Sequence, residues 1–290
     1  MLRVAARWAP GLLALLVIGP VVASLAGGLA SADGGSDASF LPATNPVAGI
    51  IALAVGVLAA GVLGIVTSRF VSYRIATWTV GYMLAWVTWR TTTVPDLIRV
   101  TRDAGYPTTS LIIEGVVVGI AGLLLAIAVI AFGRDVPGHE SDKVPGLPVT
   151  LEAALAGPMA AVVVLVSAAA AMAGAWLVVL DPLKGQAVFG GVVAGLLAGA
   201  AGTWVAAALR LPTTQLPIFA GLCLAPVLGT LSGGIVHGGG LAEASYATRL
   251  FGPAALLPLD WIAGGFMGLP AGCAIVTSLF EDRAAKTAAA

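Results

Sequence analysis

Eight apolar stretches, each long enough to cross a bilayer as a helix, follow one another along the chain with short polar connections between them. A membrane-spanning helix needs about 20 mostly apolar residues, because backbone polar groups in hydrocarbon must be satisfied within their own segment. The stretches run from Pro10 to Ala30, Asn45 to Thr67, Ile75 to Thr92, Thr108 to Phe132, Leu151 to Leu180, Ala187 to Leu209, Leu216 to Val236 and Pro253 to Phe280. No connection is long enough to fold as a separate soluble domain. The reading is an all-α, polytopic integral membrane bundle of about eight transmembrane helices, one membrane domain over residues 1–290. Residues 1–44 form an N-terminal anchor or signal-like helix with an outer loop, and 45–132 carry spans two to four. A cytoplasmic loop over 133–150, spans five to eight over 151–280 and a cytoplasmic tail over 281–290 complete it.

Composition excludes the soluble alternative. Charged residues make up 10% of the 290 and hydrophobic ones 59%, with a mean hydropathy of +1.02, whereas a soluble domain carries about 25% charged residues. The 14 basic and 14 acidic residues cancel, so no basic footprint for nucleic acid is present. The partners to expect are membrane lipids and either another membrane protein or a second copy of the chain. An Ala, Gly and Val bias with few lysines points to a bacterial inner membrane.

Lys and Arg are retained on the cytoplasmic side of short loops. With the N-terminus inside, nine basic residues fall on the inner side and five on the outer, which puts both termini in the cytoplasm. The first segment has a second reading. Arg3 and Arg7 precede an apolar run, and Ala30-Ser31-Ala32 has the form of a signal-peptidase site. The uncharged stretch from Ala9 to Ala32 is longer than a signal core, which favours an uncleaved anchor, followed by an outer loop from Ser31 to Thr44.

Small residues recur every fourth position: Ala52, Gly56, Ala60 and Gly64 in the second span, Gly115 and Gly119 in the fourth, Gly191, Gly195 and Gly199 in the sixth, Gly264, Gly268 and Gly272 in the eighth. Lipid tails are as apolar as leucine, so helices in a bilayer associate through close backbone approach, which such stripes permit. The expectation is helix packing rather than a pore lining. The even span count permits a parallel duplication, although no matched motifs identify one.

Between spans three and four, Pro95 and Asp96 suit a first helical turn, Gly105 suits a stop, and Leu97, Ile98 and Thr101 share a side. This predicts a short interfacial helix on the outer surface, with Arg90, Arg99 and Arg102 as an outer basic patch able to face anionic headgroups.

Two ionisable groups lie inside spans, Glu114 in the fourth and Asp260 in the eighth, at similar depth near the outer face. An ionised carboxylate at the bilayer centre costs about 2.5 to 3.5 kcal/mol on insertion scales, so such groups face a cavity or a partner. Span seven carries Pro226, Gly229, Gly233 and Gly234, with Thr230, Ser232 and His237 beside them. Broken helices with polar groups are where transporters hold substrates, so Glu114, Asp260, His237, Ser232 and Thr230 form the candidate substrate or ion site. Ser232 and His237 are set about 140° apart by a regular helix, and Gly229 to Gly233 departs from the Gly-x-Ser-Gly of rhomboid-type intramembrane proteases by placing Thr230 where the first glycine would precede the serine. A hydrolase is the third reading, and no residue is assigned as catalytic.

No metal site and no cofactor are expected, because zinc motifs, a phosphate loop, an intramembrane lysine for a Schiff base and a histidine pair for haem are all missing from the spans. The run Gly138 to Lys143 is read as a solvated polar loop or a docking surface. Two functions follow: a small-solute or ion transporter, whose acids and His237 should surround one cavity, or a non-catalytic membrane-complex subunit or assembly protein, whose acids should be dispersed and paired.

Overall fold

The computed structural model describes residues 2–25, 29, 38–101, 105–133, 158–181, 183–211 and 215–289. The Ala30 to Ala32 cleavage motif, Arg102, the loop from Gly138 to Lys143 and the expected start of span five at Leu151 lie outside them, as do the side chains of Arg3, Arg7 and the 281–290 tail.

Among the described residues the chain is all helix. Helix α1 (Leu2–Leu13) passes through a π-helical turn (Ala14–Ile18) into α2 (Gly19–Leu25). Then come α3 (Pro46–Phe70), α4 (Tyr73–Thr88), the short α5 (Val94–Thr101) and α6 (Gly105–Ala131). The second half holds α7 (Pro158–Val178), α8 (Lys184–Ala208), α9 (Leu216–His237), the short α10 (Leu241–Tyr246) and α11 (Pro258–Ala289).

Each expected span contains a helix, and among the described residues six helices are long and apolar enough to cross a membrane. The protein is a multi-pass helical membrane bundle. The other two expected spans fall short by length: the apolar helix Trp8–Ser24 and α4, with 16 residues. Sixteen residues rise about 24 Å, against a hydrocarbon core of about 30 Å. The count of eight read from hydropathy is therefore six by helix length.

Alanine and glycine line much of the bundle interior and large aliphatic side chains much of its outside, with Trp261, Phe219, Phe266 and Met83 also buried in the core. Leu58, Val62, Ile120, Leu165, Leu177 and Ile235 are exposed, whereas Ala60, Ala76, Ala126, Ala171, Ala194 and Ala198 are fully buried. That inversion suits a lipid solvent, which gives leucine no reason to hide. The glycine stripes meet as expected. On α8, Gly195 faces the Gly265 backbone, while Gly268 and Gly272 on α11 face the Val192 and Leu196 carbonyls, so these two parallel helices touch backbone to backbone. Gly119 on α6 faces the Cys223 carbonyl of α9, and Gly81 on α4 faces Ala263 and Met267 of α11. The last helix of each half thus packs on the penultimate long helix of the other.

Helices alternate in direction. Gly56 faces Val87 and Gly64 faces Val80, which makes α3 and α4 antiparallel. One end of the bundle is marked by Tyr73, whose hydroxyl accepts from Gln215 at the start of α9 (2.8 Å), and by Ser68, which donates to the Val129 carbonyl (2.5 Å). The opposite end holds the C-terminus of α4 and the N-termini of α6, α8 and α11. The first helix leans on α4. In the π turn Gly19 donates to the Ala14 carbonyl, which leaves the Leu15 carbonyl to accept from Trp86 Nε1 at 2.7 Å.

Three local expectations are corrected. Gly105 does not stop α5 but opens α6, three residues before the expected start of that span. The short α5 forms, with Thr93 as its N-cap and Asp96 at its third position bonded to each other (2.7 Å). Its apolar face lies against protein rather than lipid: Leu97 and Ile98 are buried with Leu111, Leu241 and Leu257. Finally, α9 is one uninterrupted helix despite Pro226 and its glycines, and the break comes only at the 3-10 turn Gly238–Gly240.

Candidate functional site

Asp260 sits at the third position of α11, after the 3-10 turn Gly252–Ala255 and with Pro258 opening the helix. A carboxylate there can reach back to the free N–H groups of the first turn, and Asp260 Oδ2 accepts from Leu257 N at 3.0 Å. Its other oxygen accepts from Thr88 Oγ1 at the end of α4 (2.6 Å) and from Lys184 Nζ at the start of α8 (2.7 Å). Asp260 is 1% exposed and the Lys184 side chain 15%.

Lys184 uses all three ammonium donors. Besides Asp260 it donates to Thr88 Oγ1 at 3.2 Å and Thr91 Oγ1 at 3.0 Å. The hydroxyls are free to accept because each spends its proton elsewhere, Thr88 on Asp260 and Thr91 on the Thr88 carbonyl (2.7 Å). The turn before α8 aims the lysine inward, with Leu183 N donating to the Asp181 carbonyl and Asp181 N to Gln186 Oε1, both at 2.8 Å.

Glu114 is fully buried on α6 at the same end of the bundle and makes no ion pair with Lys184. Its carboxylate is covered by the chain leading into α3: Ser39 Oγ donates to Oε1 at 2.5 Å and Leu41 N to Oε2 at 3.0 Å. Ala38, Ser39, Phe40 and Ala43 are buried, and Gly49 lets the Phe40 carbonyl approach α3 closely. The C-terminal part of the stretch read as an outer loop is therefore a cover folded into the bundle. Asp260, Lys184, Thr88 and Thr91 thus form one polar cluster in an apolar protein, and Glu114 with Ser39 and the Leu41 amide forms a second at the same end of the bundle.

The remaining candidates lie elsewhere. His237, at the end of α9, accepts from Phe251 N through Nε2 (2.9 Å) and ties that helix to the following loop. Ser232 Oγ donates to the Gly229 carbonyl at 2.6 Å and Thr230 Oγ1 to the Pro226 carbonyl at 3.1 Å, both within α9. Ser232 and His237 thus engage backbone groups rather than each other. In the basic patch, Arg99 bonds Asp96 and the Ser245 carbonyl, both at 3.3 Å, while Arg90 sits in an exposed turn after α4. No group of three or more metal-ligating side chains occurs among the described residues.

Lys184, Thr88, Thr91 and Ser39 were not among the residues singled out from sequence. Lys184 was counted as a loop cation because the sixth span was started at Ala187, whereas α8 begins at the lysine itself. Its signal was present as a lone lysine three residues from an apolar run. Compared with family models, curated proteins and solved structures, the chain matches none of them at a significant level.

Proposed function

We propose that the chain is a small-solute or ion transporter of a bacterial inner membrane, with Glu114, Lys184 and Asp260 as its working site near the outer face. The supporting observation is the burial of two carboxylates at a single end of the bundle, Asp260 paired with the Lys184 ammonium and Glu114 held under the cover. Intramembrane ionisable groups are expensive to place and mark ion or substrate pathways more often than packing. In this reading the Ala38–Ala43 cover closes the site from outside, and both termini are cytoplasmic, in keeping with the nine-to-five bias of basic residues. The two shorter apolar helices then complete eight passes by local thinning or snorkelling.

Reconstitution into proteoliposomes tests it. Proton, sodium or potassium gradients should drive flux of a dye or isotope in the wild type, and Glu114→Gln and Asp260→Asn should abolish it in protein that still folds, even where thermal stability falls.

One feature favours a second reading, a non-catalytic subunit or assembly protein that binds another membrane protein or a second copy. Asp260 accepts three hydrogen bonds from groups that leave it no free face, which is how a structural latch is built. If both variants unfold the protein and the wild type carries no flux, the subunit reading replaces the transporter.

A further inference from the structure

The geometry points to a monovalent-cation site in which the Lys184 ammonium is a tethered occupant, exchangeable for a free cation of ammonium size such as K⁺ or NH₄⁺. This deepens the reading of the cluster as the working site.

Around Lys184 Nζ stand three oxygens, Asp260 Oδ1 at 2.7 Å, Thr91 Oγ1 at 3.0 Å and Thr88 Oγ1 at 3.2 Å. They belong to three places in the fold: the first turn of α11, the turn after α4 and the last residue of α4. Their orientation is fixed without the lysine, because Asp260 is held by Leu257 N and the Thr91 hydroxyl by the Thr88 carbonyl. The oxygen shell is therefore built by the bundle, and the ammonium is a guest in it.

The lysine is also the most exposed member. It is the first residue of α8, where the positive end of the helix dipole opposes a cation. It reaches the oxygens on a flexible four-carbon stem and keeps contact with the surface at 15% exposure, whereas Asp260 and Thr88 are essentially inaccessible. In this proposal the ammonium withdraws on that stem and leaves a negatively charged oxygen pocket that a free cation neutralises. Separations of 2.7 to 3.2 Å suit ammonium-sized ions. Mg²⁺ requires about 2.0–2.1 Å and Ca²⁺ about 2.3–2.6 Å, so divalent ions would have to pull the threonines inward.

Two measurements at constant ionic strength test this. In purified Lys184→Met protein, potassium or ammonium chloride should raise the melting temperature on the order of 5 °C over N-methyl-D-glucamine chloride at saturation. The gain should vanish in Lys184→Met/Asp260→Asn. In the wild type, acylation of Lys184 followed by mass spectrometry should accelerate saturably with potassium, with Lys143 and Lys286 as internal references. This second readout decides the matter even if the methionine variant does not fold. Unchanged Lys184 labelling overturns the inference, as does a folded Lys184→Met protein that melts alike in all three salts or is stabilised only by Mg²⁺ or Ca²⁺. Cation effects without flux leave the inference standing and remove the transporter reading; flux without cation effects does the reverse.

Discussion

The ammonium of Lys184 and the carboxylate of Asp260 meet at 2.7 Å although 76 residues of chain separate them. They open two helices, α8 and α11, that run side by side in the same direction with no side chain between their glycine faces. An ion pair at the head of two parallel helices has a cost on one side only, since the N-terminal dipole favours Asp260 and opposes Lys184. The pair exists because the acid is there.

Removing the lysine should therefore be worse than removing both charges. Lys184→Ala leaves a buried carboxylate with only Thr88 and Leu257 as donors, and should cost about 3–5 kcal/mol in salt-free detergent. Lys184→Ala/Asp260→Leu should recover part of that loss. Thermal unfolding of the two variants compares them, and a double variant less stable than the single one contradicts the argument.

Gly195→Leu should drive a side chain into the Gly265 backbone, which has no rotamer with which to yield. The expected loss is about 3 kcal/mol or more, the upper range for overpacking. Gly234→Leu is the matched control, since nothing lies within 4 Å of its added carbon, and it should stay within about 0.5 kcal/mol of wild type. Equal melting temperatures for the two variants would dismiss the close-packed α8–α11 interface.

Ser39→Ala should loosen the cover over Glu114. It deletes a 2.5 Å hydrogen bond to a buried carboxylate, worth about 1.5–3 kcal/mol as a bond to a charged group. Hydrogen exchange should accelerate at the Leu41 amide, which shares the same carboxylate, and stay unchanged at the distant Phe251 amide.

His237→Phe should have the opposite signature. The ring volume is kept while the Phe251 N–H loses its acceptor, so exchange should rise at Phe251 and not at Leu41. Any flux measured for the wild type should survive, because His237 takes no part in the acid–lysine cluster.

For membrane orientation, a reporter active only in the cytoplasm and fused to the C-terminus should give signal. Signal from a periplasmic reporter alone would reverse the inner and outer assignments.

The sequence made the helices legible because lipid imposes a single requirement on every span, and apolar length satisfies it. It made Glu114 and Asp260 legible for the same reason: a carboxylate in such a run stands out. The partner of Asp260 was not legible. Lys184 lies on a helix boundary, where hydropathy is blind to whether a side chain turns toward headgroups or back into the bundle, and that choice rests on the Asp181–Gln186 turn. The cover was hidden because Ser39 and Phe40 belong to a stretch with loop composition, and its burial depends on Glu114, 75 residues away from Ser39. His237 misled in the other direction, since glycines and a proline around it resemble a broken helix, yet α9 is continuous through them.

A glycine stripe with a four-residue repeat looks nearly the same after a shift of one helical turn, about 5.4 Å. Two contacts specify the observed alignment: the Cys273 thiol reaching the Gly199 carbonyl at 3.7 Å across the groove, and Lys184 and Asp260 at its head, which can touch in one alignment only. On a surface otherwise nearly without teeth, the ion pair acts as the index pin, and its loss would loosen the hold on a single register.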